Sequence, residues 1–110
     1  MEEALKKLDL LLSQVEKPAA RRRWEPYEPP QEDFELYDEL MRRFPDKERK
    51  VVEQHIRGVA DAKDMQPATV LRALLDKIAA TLKIATCFVL RKIEQLGSLL
   101  LYLRQIPLPA

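Results

Sequence analysis

Glycine, cysteine and histidine are scarce in this chain of 110 residues: Gly58 and Gly97, Cys87 and His55 are the whole supply. Each scarcity excludes something. Two glycines thirty-nine positions apart cannot form a glycine-rich phosphate loop. One cysteine allows no internal disulfide, which points to a reducing compartment, and cytoplasm is the expected location. A lone histidine with no cysteine near it in sequence lacks the paired ligands of a metal site, so no metal or other cofactor is expected. Charge of one sign is missing too: 19 basic and 18 acidic side chains leave a net charge of +1, without the global basic field of many nucleic-acid binders. Glu2 and Glu3 stand where a secretory signal wants bases. The apolar stretch from Ile84 to Leu103 carries Arg91, Lys92 and Glu94 in its middle, each costing roughly 2.5–3.5 kcal/mol at the centre of an inserted helix, so no membrane span is expected. Sustained alternation of apolar and polar residues is absent, and with it any expectation of a sheet.

What remains is helical periodicity. Met1, Leu5, Leu8, Leu12 and Val15 form an apolar seam for a first helix that Pro18 stops. Pro26, Pro29 and Pro30 then make residues 18–31 a linker or extended arm. Phe34, Tyr37, Leu40, Met41 and Phe44 line a second helix, with acids in its first turn and Arg42 and Arg43 in its last, as the helix dipole favours. Val51, Val52, Ile56 and Val59 line a third, opposite Glu48, Lys50, Glu53 and Arg57; it ends at Gly58 or runs on to about Ala62. Pro67 suits the first position of a long last helix whose stripe runs through Leu71, Leu74, Ile78, Leu82, Ala85, Val89, Ile93, Leu96, Leu100 and Leu103. Over residues 67–96 such a helix would be about 45 Å long, against a radius of gyration of about 13 Å for a 100-residue domain. It must therefore kink at Gly97-Ser98, break or pack on another chain. The expected fold is all-α: a single domain over 1–110, about four bundled helices with a long C-terminal one.

Candidate sites are few. The acids Glu32, Asp33, Glu35, Asp38 and Glu39 read as a solvated helix face, since carboxylates outside an apolar pocket have no reason to shift their pKa. His55 reads as a solvent-facing or interhelical structural residue. Cys87, between Thr86 and Phe88 in an apolar stretch, reads as a core thiol. No catalytic set emerges, and an enzyme is not expected. Arg21, Arg22, Arg23, Trp24 and Tyr27 combine the side-chain types that dominate protein interfaces, which makes the arm a candidate partner-binding element. The same residues could grip phosphate and stack on bases, although Glu25, Glu28, Glu32 and Asp33 follow at once. Leu82, Val89, Leu96, Leu100 and Leu103 are the candidate oligomer face, because the stripe is wider than one dimeric seam would use.

Residues 59–74 resemble the helix-turn-helix pattern of bacterial repressors, with Val59-Ala60 ending a scaffold helix and Thr69-Val70 opening a reading helix. The resemblance implies that Ala60 admits close helix approach, that Met65 and Val70 pin the turn, and that Gln66, Thr69 and Arg72 face the major groove. Asp64 stands where the pattern usually has glycine, and Leu71 and Leu75 stand where polar groove-facing residues are usual; a short interhelical loop meets the same spacing. Two functional readings follow. The first is a non-enzymatic interaction module that binds another protein and associates with itself through its C-terminal helix; the alternative is a small DNA-binding regulator using residues 59–75.

Overall fold

Proline marks three of the helix starts: Pro30 and Pro45 each precede a helix and Pro67 opens another at its first position. The computed structural model describes residues 2–19 and 24–107. Within them lie six helices: α1 (Glu2–Ser13), α2 (Gln31–Arg43), α3 (Asp46–Lys63), α4 (Pro67–Leu82), α5 (Thr86–Leu96) and α6 (Leu99–Gln105). No strand occurs among the described residues. The all-helical expectation holds, whereas the count of about four and the single long C-terminal helix do not. Helix α3 runs through Gly58, and α1 stops at Ser13, with Val15 buried in the extended chain beyond it.

Two turns break the expected long helix into α4, α5 and α6. The second break, at Gly97, is where the sequence places it: Gly97 has φ 67° and its N–H donates to the Ile93 carbonyl. The first is at Lys83, which takes the left-handed conformation at φ 59° and ψ 43°. There the Ile84 N–H donates back to the Ala79 carbonyl at 3.0 Å, the outer bond of a Schellman turn. Asp64 ends α3 in the same way, with φ 52° and a 2.8 Å bond from the Met65 N–H to the Ala60 carbonyl.

A lysine in that conformation costs about 1–2 kcal/mol, and burial offsets it. If α4 continued straight, Val89 and Ile93 would leave the globule; folding back buries both almost completely. Two such side chains contribute about 1.5–3 kcal/mol each, so the turn wins. The resulting radius of gyration is 13.5 Å. Helix α4 is the central post, touching α1, α2, α3 and α5 and burying Val70, Leu71, Leu74, Leu75, Ile78 and Ala79. Helices α1 and α5 flank α6, and the buried apolar residues form one continuous core.

Charged side chains from one helix close the ends of another. Helix α1 has no base in its own last turn, and Lys63 of α3 supplies one, donating to the carbonyls of Ser13 (3.1 Å) and Val15. Lys7 of α1 donates to the carbonyls of Leu103 (3.0 Å) and Ile106 (2.7 Å) at the end of α6. At the other end of α6, the Ser98 hydroxyl accepts from the Leu101 N–H at 3.0 Å and donates to Glu48, whose Oε1 also accepts from the Leu100 N–H at 3.2 Å. Glu48, expected on a solvated face, is instead buried. A seven-residue helix is too short to persist unaided, and these ties hold α6 at both ends.

Candidate interaction surface

Helix α5 is apolar on two sides. Its inner side sends Val89 and Ile93 into the core, with Leu90 and Leu96 half-buried against it. On its outer side Cys87, Phe88 and Arg91 are exposed, Phe88 by 52%, and Ile84, in the turn before the helix, is 39% exposed. The Arg91 guanidinium lies 5.9 Å from the Phe88 ring centroid, within cation–π range. Lys83 and Lys92 flank these residues and are exposed. Between Asp76 and Glu94 the chain has four bases and no acid. Among the described residues no ion pair engages Lys83, Arg91 or Lys92. The surface is thus an apolar ridge in a basic field.

Cys87 belongs to this surface and not to the core, which corrects the sequence expectation. The reason is helical spacing: Val89 and Ile93 face inward, and Cys87, two residues before Val89, then falls on the opposite side of the helix. The expected oligomer face meets the opposite fate. Val89, Leu100 and Leu103 are buried in the chain's own core, and Leu82 and Leu96 are half-buried against it.

The outward face of α2 is the acidic counterpart. Phe34, expected on the inner stripe, is 37% exposed, beside exposed Glu32, Glu35 and Asp38. Among the described residues no ion pair engages these three acids. Glu39 is half-buried and pairs with Arg43 at 2.7 Å. Asp33 departs from the expected solvated row: it is buried toward α4, and burial raises its pKa, with Arg72 opposing and Asp76 and Glu32 adding to the rise.

The turn between α3 and α4 packs as the helix-turn-helix resemblance implies in one respect: Ala60 and Val70 are buried and Met65 lies against the core. The proposed reading residues are placed differently. Gln66 is exposed, Arg72 is half-buried and 3.5 Å from Asp76, and Thr69 is only 4% exposed, its hydroxyl enclosed. Thr69 cannot face a groove because the arm lies across this turn. Pro18, Pro26 and Tyr27 face Asp64, Met65 and Thr69 over a cleft of about 410 Å³, bridged by the Lys17–Asp64 pair at 3.2 Å. Asp61 and Asp64 on its rim oppose a phosphate backbone.

Of the arm residues, Arg21, Arg22 and Arg23 lie outside the described residues. Trp24 is 78% exposed, while Tyr27 is half-buried against the turn. His55 is interhelical: its Nδ1–H donates to Asp9 Oδ1 at 2.6 Å, tying α3 to α1. Among the described residues no group of histidine, cysteine and acidic side chains could hold a metal ion, and no helix is long and apolar enough to cross a membrane. The outer face of α5 escaped the sequence reading because Cys87, between Thr86 and Phe88 in an apolar stretch, was assigned to the core. Its signal was the run of bases without an acid. No protein-family model matches the chain, and no curated protein or solved structure is similar to it.

Proposed function

We propose that the protein is a non-enzymatic helical interaction module whose binding surface is the outer face of α5, and that it takes an acidic amphipathic helix of a partner protein. One observation carries this reading: Cys87 and Phe88 stand exposed on α5 beside Ile84 of the preceding turn, and among the described residues no ion pair engages the surrounding Lys83, Arg91 and Lys92. Helix-on-helix recognition lays the apolar face of one helix against exposed apolar anchors of the other, the part Phe88 plays here. Complementary charge steers the encounter and selects the partner. Trp24, free on the arm, is of the type that anchors interfaces and extends the same reading to the N-terminal side.

The test is a titration of the isotopically labelled full chain with a synthetic helical peptide carrying leucine and phenylalanine at i, i+3, i+4 and i+7 and glutamate elsewhere. Backbone resonances from Ile84 to Lys92 should shift, the shifts should shrink as salt rises, and Phe88→Ser should abolish them. If α5 resonances stay unmoved at millimolar peptide, or shift equally in Phe88→Ser, the reading is wrong.

A further inference from the structure

We infer that the acidic helix this surface receives is α2 of a second copy of the chain. The inference rests on the reading above and names its partner. Helix α2 presents Phe34, Glu35 and Asp38 outward at i, i+1 and i+4; α5 presents Phe88, Arg91 and Lys92 outward at i, i+3 and i+4. Laid side by side in parallel, with Phe34 at the level of Phe88, Asp38 falls at the level of Lys92 and within a turn of Arg91. Glu32 falls toward the Lys83 end. The α2 row offers one aromatic anchor with three negative charges, the α5 row one aromatic with Arg91 and Lys92 and with Lys83 in the turn before it, and none of the six charges is engaged in an ion pair among the described residues.

Within one chain the two helices are linked at their C-terminal ends, by Arg43 and Glu94 at 3.8 Å, and not through these rows. Both helices pack on α4, through their inner residues Leu40 and Met41 on α2 and Val89 and Ile93 on α5. Among the described residues no ion pair joins Glu32, Glu35 or Asp38 to Lys83, Arg91 or Lys92, so both rows are open to another molecule. The self-association expected from the sequence thus moves from the buried stripe to the opposite side of the same helix. The contact joins two different surfaces. It closes into a dimer when both α2–α5 pairs form about a twofold axis, and a single-helix contact of this kind falls below the ~1,200 Å² of standard interfaces, so the association is weak and salt-sensitive.

Sedimentation equilibrium on the full chain tests this, from about 10 µM to about 1 mM and at low and high salt. The wild-type chain should gain mass with concentration and lose the gain at high salt. Two charge-reversed chains decide the partner: Arg91→Glu with Lys92→Glu on α5, and Glu35→Lys with Asp38→Lys on α2. Each alone should self-associate at least about tenfold more weakly, a loss of about 1.4 kcal/mol. Their equimolar mixture should recover it, because every α2–α5 contact between unlike chains then pairs opposite charges. A wild-type chain that stays monomeric throughout overturns the inference, as does a mixture no more associated than its components. If the synthetic acidic peptide still moves the α5 resonances in that monomeric chain, the interaction reading stands and only the second copy is excluded.

Discussion

Two sets of charged residues in this molecule serve opposite ends. Lys7, Lys63 and Glu48 reach from one helix to the unsatisfied end of another and are at least half removed from water. Lys83, Arg91 and Lys92 enter no ion pair among the described residues and surround an apolar ridge. The first set shows how short helices persist in a domain with few glycines and few self-contained caps: the dipole and orphan groups of each helix are completed in trans. The second shows charge left over after the fold is complete. A charge that stabilises the fold should be costly to remove, and one kept for a partner should be nearly free.

The sharpest way to break this contrast is at Glu48. Glu48→Ala strips the buried Ser98 hydroxyl and the Leu100 N–H of their acceptor, and should lower the unfolding free energy by about 3 kcal/mol in urea titration. Glu48→Gln, which keeps an acceptor oxygen, should cost about 1 kcal/mol. Next comes Lys63→Met, which keeps the stem and removes the cap of α1; a loss of about 1–2 kcal/mol is expected by the same measurement. On the outer set the sign reverses. Lys83→Gly relieves the left-handed strain and should stabilise by about 1 kcal/mol, read as a rise in melting temperature.

Asp33 lies between the two sets, buried without a cap of its own to serve. Because burial raises its pKa, the folded state holds the proton more tightly than the unfolded state, so its charged form weakens the fold at neutral pH. Asp33→Asn should therefore raise the melting temperature at pH 7, and the advantage should vanish below about pH 4, where the unfolded carboxyl is protonated as well. The smallest effect is expected at Phe88→Ser, which should leave the unfolding free energy within about 0.5 kcal/mol of wild type while removing binding. A loss of several kcal/mol there would place Phe88 in the fold and end the contrast.

Much of the architecture was legible from residue order. The inner positions Leu8, Leu12, Leu40, Val52, Ile56, Leu74 and Ile78 are buried as their 3.6-residue spacing requires. Gly97 ends a helix because it takes a left-handed conformation without a Cβ penalty. The break at Lys83 was not legible, since lysine carries no turn signal and Ala79-Ala80-Thr81-Leu82 is good helix sequence. With that break hidden, Ala85 was drawn on the inner stripe and Cys87 in the core, and both are exposed, whereas Val89 and Ile93 are buried as the stripe requires. Thr69 was misplaced for a different reason: what covers it is the arm, nearly fifty residues earlier in the chain.

Sequence by itself determined that this protein is helical, where its proline-marked helices start, which apolar residues form the core of α1 to α4, and that a basic, acid-free run follows Asp76. Periodicity and proline chemistry are local, so they survive without the fold. Only tertiary structure decided which way α5 faces, which charges close helix ends and which remain free. Those depend on the burial gained when α5 folds back on α4, a quantity that exceeds the cost of one left-handed lysine only once both helices are in place.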